Sequence, residues 1–340
     1  MVSLKDIAKE CQVSVATVSK ALNDHADISE ERKKMIREKA EEMGYRPNLF
    51  ARTLKTNRSY NIGVLFTDAE HNGLTHDYFA AVLDSFKVAA EARDYDLTFV
   101  NCGGSGGKRM TYLEHARYRG FDGIMIACVD FSEPVLQLAL SDIPVVTIDY
   151  IFNDRLAVVS DNAKGMEDLF TYIYQMGHRR IAYIHGTDSA VTTNRLSSFY
   201  RTAEKFGVEI PDEYVMMTRY RDTKGAGEAT EKLLDLRRPP TCILYPDDFA
   251  ALGGIHVIRE RGMSIPEDIS IAGYDGIRLA KLTVPNLTTL CQDTQHLGQY
   301  AAEKLIDLIE KPKTAMRNIT IVQGKLYEGQ TVLKLDGSRG

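Results

Sequence analysis

The first 46 residues set apolar positions at helical spacing. Leu4, Ile7, Ala8 and Cys11 share one face of a predicted helix from Leu4 to Glu10. Val18, Ala21 and Leu22 do the same in a second, Val15 to Asn23, for which Ser14 is a suitable N-cap. Only Cys11-Gln12-Val13 separates the two, and short helices joined by so tight a turn make a helix-turn-helix unit. A third helix is predicted from a cap at Ser29 to about Met43, with Glu30 and Glu31 at its positive end and Gly44 beyond it. Ile28, Met35, Ile36 and Ala40 are expected to close this small core. A plain three-helix bundle with a solvated polar face satisfies the same spacing.

From residue 60 the period changes. Short β-branched runs at Asn61–Phe66, Asp96–Asn101, Gly123–Cys128 and Pro144–Asp149 alternate with helical stretches at Tyr78–Arg93, Met110–Arg119 and Glu133–Ser141. The series then restarts, with strands at Arg180–His185, Thr241–Tyr245 and Ile269–Ala272 and helices near Asn194–Phe206, Ala226–Leu236 and Phe249–Arg261. Such alternation predicts parallel sheets covered by helices, and two series predict two subdomains. Between head and body, Pro47 suits a helix start, and Asn48 to Lys55 allow about two turns, too few to be stable alone in water. An ordinary linker fits residues 47–59 equally well.

Composition narrows the class. A chain of 340 residues is too long for one core and suits two or three units. Hydrophobic residues make up 44% and charged residues 26%, the balance of a soluble protein, and no apolar run reaches the roughly 20 residues of a membrane span. The opening Met1-Val2-Ser3-Leu4-Lys5 is not a secretory signal, so a cytoplasmic protein without membrane contact is expected. Residues 1–60 carry 12 Lys plus Arg against 9 Asp plus Glu, a net of +3; the whole chain is −5, which leaves −8 on the rest. A basic head on an acidic body suits a separate nucleic-acid module. Cys11, Cys102, Cys128, Cys242 and Cys291 are odd in number and widely spaced, which points to free thiols rather than a zinc site or disulfide framework.

The second helix exposes Val15, Ala16, Thr17 and Lys20 near its N-terminus, the end that enters the major groove in a helix-turn-helix. Small apolar side chains suit thymine methyls and Lys20 suits guanine acceptors, while the hydroxyls of Ser14, Thr17 and Ser19 suit phosphates. In the body, Asp149, Arg195, Asp247 and Asp275 stand just after strand-like runs, where parallel sheets meet ligands. Carboxylates accept from hydroxyls and arginine donates in a fork, so this set suits a polyhydroxylated ligand. Thr67, Tyr78, Phe79 and Phe249 are weaker candidates. The aspartates also fit a purely structural role as turn and helix caps.

The stretch "LKDIAKECQVSVATVSKALN", followed by "GYRPNLFARTLKTNRSYNIGVLF", resembles the LacI/GalR family of transcriptional repressors, and matches continue to about residue 327. The resemblance implies a small all-α helix-turn-helix head (1–46), a hinge helix (47–59) and an α/β core of two parallel-sheet subdomains (60–340) like a periplasmic binding protein. The core is expected to cross between subdomains at Ser160–Asn162, Gln292–Asp293 and near Gln323. The N-subdomain would then hold about 60–160 plus 293–322, and the C-subdomain about 162–291 plus 323–340. It implies a homodimer on a pseudo-palindromic double-stranded operator, with hinge residues Asn48, Ala51, Arg52 and Lys55 on DNA and Leu54 wedged between base pairs. Asp149, Arg195, Asp247 and Asp275 would line an effector cleft for a small polar metabolite, a sugar or sugar derivative first and a nucleoside or other small polar metabolite as the alternative, with no cofactor. Four features depart from the family pattern. Gln12 stands in a turn that favours positive φ, Asp247 falls where the family commonly has Asn or Ser, no Trp is present to stack on a sugar, and Asp222 occupies a position where many members have an aromatic.

Other motifs are weak. Gly103-Gly104-Ser105-Gly106-Gly107 satisfies G-x-S-x-G after a strand, but four glycines in five residues suit a flexible loop better than a nucleophile elbow. Arg109 follows Gly107-Lys108, which breaks both the P-loop and G-x-G-x-x-G. His71, His76 and His185 form no metal-ligand spacing. A transport-type solute-binding protein fits the core but not the head, and an enzyme lacks a complete catalytic set.

Overall fold

The computed structural model describes residues 2–45, 58–66, 73–102, 109–127, 132–152 and 155–335. The chain forms two compact units, residues 1–60 and 61–340. The proposed hinge contacts Asn48, Ala51, Arg52, Leu54 and Lys55, together with Thr67, Ser105 and Cys128, lie outside the described residues.

In the head, α1 (Leu4–Glu10), α2 (Val15–Leu22) and α3 (Glu30–Glu42) follow the apolar spacing. They close on Ile7, Val18, Ala21 and Ile36, all fully buried, with Ala8 and Ala40 beside them. Gln12 takes φ +54°. The amide of Val13 donates to the Ala8 carbonyl at 3.0 Å and that of Gln12 to Lys9 at 3.3 Å. These are the bonds of a left-handed helix stop, made with glutamine where glycine is cheapest. Two expectations for the third helix need correction. Ser29 precedes α3, but its side chain makes no cap hydrogen bond. Met35 is 43% exposed, and Lys33 takes the core-facing position instead. The Lys33 stem covers the core while its ammonium reaches Glu30 at 2.6 Å and Asp24 at 3.0 Å. A long amphipathic side chain can thus hold an apolar position that a hydrophobicity pattern assigns to its neighbour.

Among the described residues the body holds two six-stranded sheets. The first is built from β1 (Asn61–Phe66), β2 (Asp96–Phe99), β3 (Gly123–Ala127), β4 (Val145–Ile148), β5 (Leu156–Ser160) and β11 (Ile319–Val322), in the order β11-β5-β4-β3-β1-β2. All its pairings are parallel. The second contains β6 (Ile181–His185), β7 (Val215–Met217), β8 (Cys242–Leu244), β9 (Ser270–Asp275), β10 (Thr288–Cys291) and β12 (Lys325–Tyr327), in the order β12-β10-β9-β8-β6-β7. Only its edge strand β12 runs antiparallel, against β10. The chain passes from one sheet to the other between β5 and β6, returns after β10, and crosses again between β11 and β12.

The first series of helices is α4 (Asp77–Glu91), α5 (Tyr112–Arg119) and α6 (Glu133–Ala139). The second is α7 (Asn162–Gln175), α8 (Ala190–Lys205), α9 (Thr223–Leu234) and α10 (Asp248–Glu260), and α11 (Thr294–Glu310) returns to pack on α4 and β3–β5. The alternating runs located seven strands and six of these eight helices. Strands β5, β7, β10, β11 and β12 and helices α7 and α11 lie outside them. Strands β7, β10, β11 and β12 have only three or four residues each, and β11 and β12 are sheet edges with exposed positions that break up an apolar run; β5, with five residues, was missed without that excuse. In both sheets the order reverses beside β1 or β6, and open α/β sheets bind ligands beyond the carboxyl ends of strands at such switch points.

Candidate functional site

Two surfaces carry the candidate chemistry. On the head, Ser14 caps α2 by accepting from the Thr17 amide at 3.0 Å, and the two hydroxyls lie 2.8 Å apart. Val15, Ala16 and Lys20 are exposed, whereas Thr17 and Ser19 are half-buried. The Lys20 ammonium meets Asp27 at 2.5 Å, with both side chains about half-exposed. An exposed pair of this kind is weak because solvent screens it, so it yields readily to a stronger acceptor. The burial of Val18 and Ala21 turns the remaining face of α2 outward.

The second surface lies at the carboxyl ends of the two sheets. Arg195, from α8, is 3% exposed. Its Nε donates to Asn162 Oδ1 at 2.7 Å and its Nη1 to the Pro246 carbonyl at 3.0 Å. Its guanidinium carbon sits 3.5 Å from the centre of the Tyr274 ring, and its Nη2 stands 3.9 Å from Asp275. Asp275 ends β9 at φ +102° and accepts from Gln292 Nε2 at 2.6 Å. Burial pushes its carboxyl up to about 7, against the pull of Arg195. Asp149 follows β4 at φ +57°. It accepts from the Tyr78 hydroxyl at 2.5 Å and the Ser160 amide at 2.8 Å, and burial raises its pKa as well. Buried Tyr78 therefore holds Asp149. Phe79 joins an aromatic group with Phe66 and His76, at centroid distances of 5.7 and 4.8 Å.

Asp247 combines the two roles open to it. It is the N-cap of α10, accepting from the Ala250 amide at 2.7 Å, and its other oxygen accepts from the Arg221 amide at 2.7 Å. Burial raises its pKa too. Next to it, buried Asp248 accepts from Thr289 at 2.5 Å and from the Ile277 amide at 2.8 Å, which ties the β9–β10 connection to α10.

Arg221 escaped the sequence reading because β7, the strand that positions its loop, is only three residues long. Its backbone takes φ +61°. Its guanidinium lies 4.3 Å from the Phe249 ring centre and reaches Asp77 at the start of α4, at 2.9 Å. That ion pair joins the two sheet-bearing halves of the body. Three non-glycine residues at positive φ, Asp149, Arg221 and Asp275, thus converge here, and strained backbone of this kind concentrates at functional sites.

The missing aromatic has an explanation close by. Asp222 caps α9 through the Gly225 amide at 2.9 Å, while Tyr220, two residues earlier, supplies a ring. The Tyr220 hydroxyl lies 2.9 Å from that of Thr192. A Cβ at Gly186 would fall 2.2 Å from this ring, so the loop after β6 needs glycine there. Asn162, Tyr274 and Gln292 likewise carried no local signal of a role in the cleft; their significance arises from where the chain crosses.

Two family models match the chain: bacterial regulatory proteins of the lacI family over residues 3–48, and the periplasmic binding protein-like domain over 170–332. The probable HTH-type transcriptional repressor ExuR of Bacillus subtilis is 32% identical over 94% of this chain and 95% of its own length. The HTH-type transcriptional repressor PurR of Pectobacterium atrosepticum is 31% identical over 91% of each. The chain belongs to the LacI family of bacterial regulatory proteins, and is a DNA-binding transcriptional repressor rather than an enzyme. Among solved structures, a lac repressor dimer bound to operator and the anti-inducer ONPF has a TM-score of 0.78 at 22% identity, covering 98% of this chain and 99% of that one. A CelR–cellobiose complex reaches 0.70 at 22% identity, covering 97% and 100%, and an Enterococcus faecium LacI-family regulator with bound ribose reaches 0.69 at 24%, covering 81% and 100%. These likenesses show the shared fold.

Proposed function

We propose that this repressor reads one half of a pseudo-palindromic operator with Val15, Ala16 and Lys20 of each subunit of a homodimer, and that a small polyhydroxylated metabolite in the cleft sets its grip. Ser14, Thr17 and Ser19 anchor phosphates, and the segment from Asn48 to Lys55 docks in the minor groove, with Leu54 as the wedge. The observation that carries the effector reading is the convergence of Arg195, Asp275, Asp149, Asp247 and Arg221 from both halves of the body onto one cleft. The ribose and cellobiose held by solved relatives support a sugar or sugar derivative. On this reading the protein works in the cytoplasm, on the nucleoid, and ligand binding releases DNA. Coupling between the two sites is expected at about 1–3 kcal/mol, or roughly 5–150-fold in operator affinity.

Selection of duplexes from a random pool by the full-length protein tests the head. A two-fold symmetric motif across one or two helical turns is expected. Recovery of no sequence preference by folded protein at low salt would overturn the assignment of the α2 residues. Titrating the recovered duplex with sugars then tests the sign, and tighter binding with ligand would reverse the release mechanism.

A further inference from the structure

We infer that the cleft takes an acidic sugar, a polyhydroxylated monocarboxylate such as a hexuronate or aldonate, and that Arg221 receives its carboxylate. This rests on reading the cleft as the effector site. The other charged groups there are largely engaged by the protein itself. Arg195 donates to Asn162 and to the Pro246 carbonyl. Asp247 holds two backbone amides, and Asp149 holds Tyr78 and the Ser160 amide.

Arg221 differs. Its side chain is only 8% exposed, yet among the described residues its buried Nε has no acceptor. Its Nη1 donates to Asp77 Oδ2 at 2.9 Å and its Nη2 reaches the Thr75 carbonyl at 3.2 Å. Buried polar atoms nearly always find partners, and a donor on a charged group is among the costliest to leave unmet. The side chain is also held in place. Asp247 fixes its backbone amide, Phe249 backs its guanidinium, and Asp77 holds one of its nitrogens. What remains is the edge formed by Nε and Nη2, whose fork matches a carboxylate with two parallel hydrogen bonds.

Charge decides between anions. Asp77 and Asp247 both bond to Arg221, and Asp275 stands beside Arg195. Asp77, already paired with Arg221 at 2.9 Å, opposes a phosphate dianion more strongly than a monocarboxylate. A neutral sugar offers Nε one uncharged acceptor in place of a charged fork. Asp275, whose Oδ2 accepts no hydrogen bond among the described residues, remains available for the ligand's hydroxyls.

The test is calorimetric titration of the full-length protein with matched probes: hexoses, the corresponding hexuronates and aldonates, and hexose 6-phosphates. At least one acid is expected to bind about 10- to 100-fold tighter than its neutral parent and its phosphate, the span of one charge-assisted interaction. Arg221→Gln should erase that ratio, and Arg221→Lys should keep only part of it. Retained selection of the operator motif shows that each variant is folded. Equal affinity for acid and parent, a ratio unchanged in Arg221→Gln, or no binding of any acid would overturn the inference. If a neutral sugar binds instead and Arg195→Ala abolishes that binding, the cleft keeps its effector role and only the acidic class is lost.

Discussion

Single residues here do work that their identity only half announces. Asp275 is an acid that burial holds largely protonated up to about pH 7. Its folded pKa lies above the unfolded value of about 3.9, so its contribution to stability is complete below pH 4 and is lost as pH rises towards 7. Asp275→Asn removes that dependence. The unliganded wild-type protein is therefore expected to lose stability relative to the variant between about pH 4 and 7, by up to about 4 kcal/mol. Parallel denaturant titrations across that range check it; a constant difference between the two proteins would contradict the buried, protonated acid. Lys20 makes a different case. Its bond to Asp27 is exposed and weak enough to exchange for a base. Lys20→Ala should lower affinity for the selected operator by about 1–3 kcal/mol while sparing random duplex. An equal loss on both, measured by fluorescence anisotropy, would make Lys20 a phosphate contact.

At the scale of elements, helix ends and helix contacts position the cleft. Asp247, Asp222 and Asp161 cap α10, α9 and α7 through backbone amides, so the loop that carries Arg221 and the first turn of α7 that carries Asn162 are pinned at helix starts. Helices α9 and α10 pack closely enough that a Cβ at Gly253 would sit 1.8 Å from the Thr223 carbonyl oxygen. Backbone cannot step aside as a side-chain tip can. Gly253→Ala should therefore destabilise the body by about 1–3 kcal/mol, although alanine is the better helix former. Urea denaturation reads this directly, and an unchanged midpoint would mean that the helices separate at little cost.

For the whole molecule, the head and the body are separate units, and the match to the lacI family over residues 3–48 makes the head the DNA reader. Arg195 belongs entirely to the body. Arg195→Ala is expected to give a protein that selects the same DNA motif but no longer changes its affinity when ligand is added. Binding curves with and without sugar measure this, and a preserved response would remove Arg195 from the effector site.

The sequence by itself determined most of the elements. Apolar residues at helical spacing marked α1, α2 and α3, and buried β-branched runs marked β1, β3, β4 and β6, because such periods are local. The long signature from Leu4 to Asn23 also carried the family. Asp149, Asp247 and Asp275 were legible as site candidates because they lie at the carboxyl ends of strands in sheets whose binding end is known, and Arg195 because it lies in the helix that follows β6. Tertiary structure decided the rest. Lys33 displaced Met35 from the head core because packing weighs the stem of a side chain, not its class. Arg221 joined the candidate site only in three dimensions, since its loop follows a three-residue strand and its partner Asp77 lies 144 residues away. Which charges are engaged and which remain open depends on burial and on contacts across the chain crossings, and no local pattern encodes those.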